Sequence, residues 1–223
     1  MRRRLAALLA VAVLLAGAGA SAGPGAGGAQ PDEFRWRIER IDHHTRRLMA
    51  GRSWHRGCPV PIPNLRLLHL RYRGFDRETH PGELVVHRRY ARRMVRAFHK
   101  LFDARFPIRR MRLVDYYGAK DLRSMKADNT SAFNCRWRAG SPGVWSQHAY
   151  GRAIDINPVE NPYVVGDYVS PPKGRRYLDR SKRRRGMIHR HDAVVRAFRS
   201  IGWEWGGRWR STKDYQHFSS NGR

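Results

Sequence analysis

From Phe34 to Met49, Ile38, Ile41, Thr45 and Leu48 fall three or four residues apart, so this segment predicts a first helix. The Gly- and Pro-rich stretch GRSWHRGCPVPIPN then breaks the pattern as a loop. Beyond it the period changes from 3.6 to 2. In LRLLHLRYRGF the apolar positions Leu65, Leu67 or Leu68, Leu70 and Tyr72 alternate with polar ones, DRETHPG turns the chain and ELVVH follows, which predicts a hairpin. Arg88 to Phe106 carries the clearest helical pattern, with Tyr90, Met94, Val95, Phe98, Leu101 and Phe102 on one face, until Pro107 ends it. IRRMRLVDYYG reads as a strand, DLRSMKADNTSAFNCRWRAGSPGVW mostly as loop, and SQHAYGRAIDIN as a turn running into a strand. Asn157 to Met187 is long, basic and Pro-rich; a connection of that length in a compact domain is expected to be functional or disordered. Asp192 is placed to cap a helix with the core face Val194, Val195, Phe198 and Ile201, stopped by Gly202, and a turn-rich pair of short strands ends the chain. These elements predict an α+β fold: a small antiparallel sheet with helices packed on one side, in a single domain.

The N-terminus changes the picture. Met1–Arg4 is charged, Leu5 to about Gly17 is apolar, and Ala20-Ser21-Ala22 is a small-residue cleavage pattern. Residues 1–22 therefore read as a signal peptide, 23–33 as a flexible linker, and 34–223 as the functional domain. The apolar run is too short to span a bilayer, and no second one follows, so no stable membrane insertion is expected after cleavage. The expected location is secreted or extracytoplasmic, at the cell wall.

Charge narrows the partners. The chain has 45 Lys+Arg against 18 Asp+Glu, a net +27, which becomes +24 once Arg2, Arg3 and Arg4 are lost. Such a surface attracts polyanions. The export signal and the lack of any nucleic-acid motif argue against nucleic acid and for anionic cell-wall polymers. The plainer alternative is a solvated arginine-rich surface, and for the basic loop 172–186 that reading is the simpler one. Cys58 and Cys135 read as a disulfide in an exported chain, against two free thiols or a cysteine used as a ligand.

Candidate chemistry begins at Asp155, a carboxylate between Ile154 and Ile156 that is costly to bury unless something positive meets it. Arg152 is one partner within reach; a metal shared with His148 is another. Positions 148 and 155 point to opposite faces of an unbroken strand, so both can face one point only if the chain breaks at Tyr150-Gly151. Near the C-terminus, KDYQHF sets Asp214 three residues before His217, where an acid could take the proton of a water acidified by the metal that the histidine holds. Glu204 is a rival acid, with an ion pair to one of the many arginines as its plainer role.

SQHAYGRAIDIN resembles the S-x-H-x-x-G-x-A-x-D signature of bacterial zinc peptidases that cut peptidoglycan stem peptides: D-Ala-D-Ala carboxypeptidases and dipeptidases, and L-alanyl-D-glutamate endopeptidases of bacteria and phage. GWEWGGRWRSTKDYQHF is similar to the C-terminal W-G-G-x-W…D-x-x-H-F block of the endopeptidase branch, and NTSAFNCR to the stretch before the first ligand. The resemblance implies Zn2+ held by His148, Asp155 and His217, Asp214 as general base, and Arg136 steadying the substrate carbonyl, although the S-G-Y-R form that commonly carries that arginine is missing. It makes residues 34–223 a zinc metallopeptidase domain acting on peptidoglycan stem peptides, with L-Ala-D-Glu cleavage as the leading activity. D-alanyl-D-alanine carboxypeptidase action and a non-catalytic, polyanion-binding wall protein stay as alternatives. Ser146 and Tyr150 would orient the first ligand or simply pack the turn; Trp145, Trp203, Trp205 and Trp209 would wall a groove or fill the core.

Overall fold

In a computed structural model that describes residues 33–223, the segment expected to be one helix is a strand and a short helix. β1 (Trp36–Arg40) pairs antiparallel with the first hairpin strand, Ile38 opposite Leu68. α1 (His43–Met49) starts only after Asp42, whose side chain accepts from Thr45 N at 2.7 Å. That cap fixes a helix start in the middle of the apolar repeat, so the residues before it are free to take the sheet edge.

β2 (Leu65–Arg73) and β3 (Thr79–His87) form the expected hairpin. α2 (Ala91–Asp103) buries Met94, Val95, Phe98, Leu101 and Phe102. Leu68, Leu70 and Tyr72 belong to the main core with α2, whereas Leu65 and Leu67 belong to a second cluster with Met49, Val85, Phe133, Cys135 and Ala149. β2 is therefore buried on both faces, which is why Leu67 and Leu68 are adjacent and both apolar.

The predicted strand after Pro107 shrinks to β4 (Arg110–Met111), with Val114–Tyr117 a 3-10 turn. α3 (Asp121–Lys126) lies where a loop was expected. Of its residues only Ser124 is buried, so it has no apolar stripe that could announce it. β5 (Asn129–Thr130) pairs parallel with β4, and β6 (Trp137–Arg138) with β7 (Ser141–Trp145) makes a second hairpin. β8 (Ala153–Asp155) follows.

The long basic connection is folded, not loose. β9 (Tyr163–Val165) and β10 (Tyr168–Ser170) form a hairpin inside it. Its anchor is Asn161, whose amide donates to the carbonyls of Ile156, Asn157 and Gly186 and whose oxygen accepts from Ile188 N at 2.7 Å. Arg180, Arg184 and Arg185 of the basic run also donate to backbone carbonyls, so much of that charge run is structural. Asp192 caps α4 (Ala193–Arg199) as expected, accepting from Val195 N at 3.0 Å. β11 (Glu204–Trp205), β12 (Thr212–Asp214) and β13 (His217–Ser219) complete the chain. The class is α+β, with the antiparallel strands shared among three three-stranded sheets, β1-β2-β3, β10-β9-β12 and β11-β13-β8, and the β6–β7 pair. The expected signal peptide, residues 1–22, and all of the expected linker but Glu33 lie outside the described residues. Among the described residues no helix is long and apolar enough to cross a membrane.

Cys58 and Cys135 are disulfide-bonded across 77 residues, tying the loop before β2 to the segment before β6. Closing a loop of that length contributes about 4 kcal/mol in the chain-entropy account. Reduction is expected to lower the melting temperature by roughly 10 °C, read by calorimetry with and without a thiol reductant.

Glu160 is buried beside Asp128, with Arg109 at 3.9 Å. Burial, reinforced by the Asp128 carboxyl, pushes Glu160 up to about 8. The folded protein holds that proton where the unfolded chain has lost it, so stability is expected to fall as pH rises from about 5 to 8. Melting temperatures of wild type and Glu160→Gln should diverge over that interval, the variant losing less.

Candidate metal centre

Asp155 and His217 face each other across the β8–β13 pair, and this register alone puts their side chains on one side of the sheet. His148 arrives from a 3-10 turn, Gln147–Tyr150, where Ser146 Oγ accepts from His148 N at 3.3 Å. The break expected at Tyr150-Gly151 is there: Gly151 has φ +61° and ends that turn. A Cβ at Gly151 would sit 2.5 Å from His87 N, which donates to Gly151 O at 2.9 Å. Only glycine meets both demands.

The three side chains converge. His148 Nε2 lies 3.3 Å from His217 Nδ1 and 3.3 Å from Asp155 Oδ2, and His217 Nδ1 lies 3.0 Å from Asp155 Oδ1. Corners of a tetrahedron around an ion with bonds near 2.0–2.1 Å are about 3.3 Å apart, so the spacing fits. The outer ring nitrogens are already engaged: His148 Nδ1 donates to Ala132 O at 2.5 Å and His217 Nε2 to Arg223 O at 3.2 Å. That fixes the tautomers from the hydrogen-bond network and leaves both inner nitrogens as lone pairs facing a carboxylate. Two acceptors and an anion, nearly buried, form a cage that suits a cation. Burial would raise Asp155, but with no cation in the cage the adjoining imidazoles outweigh it when they are protonated and hold the carboxyl far below the usual range. Arg152, the other partner considered for Asp155, instead donates to Gln147 Oε1 at 2.7 Å and covers the Tyr150 ring.

Asp214 ends β12, which pairs with β9, Asp214 opposite Tyr163, so the long connection supports this acid. Burial pushes its carboxyl up to about 7; His217 and His148 oppose that rise and Asp155 adds to it. Its Oδ1 is shielded from solvent and has no hydrogen-bond partner among the described residues. Gly206 makes room for it, since a Cβ there would come within 2.8 Å of Asp214 O.

The other expected site residues stand apart. Glu204 does not join the cluster: it is exposed on β11, opposite Ser219, with Arg208 at 3.8 Å. Strand direction explains this, for the β11–β13 register sends Glu204 toward the far end of β13 from His217. Arg136 lies next to the His148 turn through its carbonyl, which accepts from Ser146 N at 3.1 Å, but its guanidinium is ion-paired with Asp121. Trp203 and Trp205 are core residues, while the Trp209 ring lies 5.7 Å from that of His217. The carbonyls of Ala132 and Arg223 set the two imidazole tautomers and escaped sequence reading, since a backbone acceptor has no residue signature. NTSAFNCR supplied the indirect signal: its Ser131 also bridges the Asp155 backbone on the free edge of β8.

A family model described as D-alanyl-D-alanine carboxypeptidase matches residues 139–220. The match covers less than half of the chain and agrees with the resemblance to D-Ala-D-Ala carboxypeptidases. It spans His148, Asp155, Asp214 and His217 and leaves out Arg136. Comparison with curated proteins and with solved structures gives no match.

Proposed function

We propose that this chain is an exported zinc-dependent peptidase that hydrolyses an amide bond in peptidoglycan stem peptides, with L-Ala-D-Glu as the preferred bond. The observation that carries the reading is the cage of His148, Asp155 and His217, with both outer nitrogens bonded to carbonyls, and Asp214 nearby with its Oδ1 free of hydrogen bonds among the described residues. His148 Nε2, His217 Nδ1 and Asp155 would hold the ion. Zinc bound there would polarise the scissile carbonyl and acidify water. Asp214 is poised to take a proton from the attacking water and return it to the leaving amine, a role that suits a carboxyl raised toward neutrality. Arg136, half-buried beside the turn that carries His148, would steady the carbonyl oxygen once Asp121 gives up part of its hold. A non-catalytic wall protein has no use for such an acid beside the ligands. Export rests on the leader-like residues 1–22 and agrees with the disulfide.

The printed description of the matching family favours a second reading, release of a terminal D-Ala. Asp rather than Glu at 214, with the WGGRW block, favours the endopeptidase. Incubation of residues 23–223 with muropeptides separates them by the masses of the new ends. Chelation of the metal is expected to abolish cleavage and zinc to restore it; turnover that survives complete metal removal would refute the mechanism.

A further inference from the structure

The site chemistry leaves unused a cleft of about 480 Å3 between the segment around 180–190 and the turn that carries β12. Five permanent cations line it, Arg180, Arg183, Arg190, Arg208 and Lys213, and no acid does. Arg180 is tied to neutral acceptors, the carbonyls of Glu160, Tyr177 and Ile188 and the Asn161 amide oxygen, so no ion pair among the described residues neutralises it. Arg183 and Arg190 have no hydrogen-bond or ion-pair partner among the described residues, while Arg208 has Glu204 at 3.8 Å. Asp192, the other nearby acid, is occupied in capping α4 and accepting from His189 N.

We infer that this cleft binds a polyol-phosphate polymer, an anion with repeated phosphodiesters and no bases. The charge count selects the class. Carboxylates of a stem peptide come singly or in pairs, whereas a run of phosphodiesters brings several anionic groups to forks that match their geometry. The aromatic residues decide against single-stranded nucleic acid, which needs open ring faces for stacking. Trp205 is buried, its Nε1 donating to Tyr215 O, and the Arg180 guanidinium lies over the Tyr215 ring at 4.4 Å. Arg180 thus covers one face of Tyr215, and Trp205 is too buried to stack on a base. Lys213 lines the cleft while Asp214, next to it on β12, serves the metal cage; alternation along a strand sends them to opposite sides. The same strand would then dock the protein on phosphate polymer and present its acid to the peptide, yet the docking needs no metal.

The test is binding of residues 23–223 to fluorescent poly(glycerol phosphate), read by anisotropy across a salt series with chelator present. R183A/R190A is expected to weaken binding at least tenfold at low salt and reduce the log–log salt slope by about 2. R46A/R47A, two exposed arginines on α1, should stay within about twofold, and R183K/R190K should fall between the two, because lysine keeps the charge and loses the fork. Cleavage of phosphate-free muropeptides should be unchanged in R183A/R190A, which separates failure of docking from failure of the peptidase reading. Equal losses in R46A/R47A and R183A/R190A would mean diffuse charge and overturn the site. Poly-glutamate or oligothymidylate of equal charge binding as tightly as the polyol phosphate would overturn the ligand class.

Discussion

Asp214→Asn is expected to cut turnover by roughly 10²–10⁴-fold while metal content stays at the wild-type level. Asparagine has nearly the shape of aspartate, so the β12–β9 pairing and the space made by Gly206 persist. What disappears is the ability to take and return a proton. The pH profile is the sharper readout. In the metal-free site burial pushes Asp214 up to about 7. A bound cation favours the ionised form and lowers that value, so the acid limb of the loaded enzyme should lie below pH 7. Wild-type turnover should drop as pH falls through that limb, because Asp214 becomes protonated; the residual turnover of Asp214→Asn should lack it. Glu204→Gln should leave both rate and profile intact. A variant Asp214→Asn within tenfold of wild type would place the base elsewhere.

Gly151→Ala should cost more than any surface substitution. A left-handed alanine costs about 1–2 kcal/mol, and here the new Cβ would also lie 2.5 Å from His87 N, part of the β3 backbone. The turn must shift, and His148 moves with it relative to Asp155 and His217. Melting temperature is expected to fall by several degrees and zinc affinity by at least 100-fold, measured by competition with a chromophoric chelator. Gly166→Ala is the control. Its φ of +52° carries the same backbone strain, but nothing lies within 4 Å of the added Cβ. It should lose a little stability and keep its zinc affinity; an equal affinity loss in both would sink the geometric argument.

Much of the site could be read along the chain because its chemistry is concentrated in two short blocks. A glycine between His148 and Asp155 was required by strand parity before any coordinates, and the structure has the left-handed turn there. An acid three residues before His217 was equally visible, and β12 and β13 present both. Glu204 was harder to judge. Whether an acid on a neighbouring strand reaches the cage depends on register, and β11 pairs with the end of β13 remote from His217. The helix expected over Phe34–Met49 failed for a related reason: a spacing compatible with a helix yielded to a capping aspartate and an unpaired edge of β2.

The sequence by itself determined the residue types of the cage, the place of the chain break, the two amphipathic helices α2 and α4, and the excess of positive charge. These are local properties, set by side-chain chemistry and by periods of two or 3.6 residues. Only the tertiary structure decided which strand pairs with which, that Ala132 and Arg223 carbonyls turn the imidazole lone pairs inward, and that the long basic segment supports Asp214. Those outcomes depend on backbone groups distant in sequence, whose donors and acceptors are the same for every residue type and so leave no mark in the order of side chains.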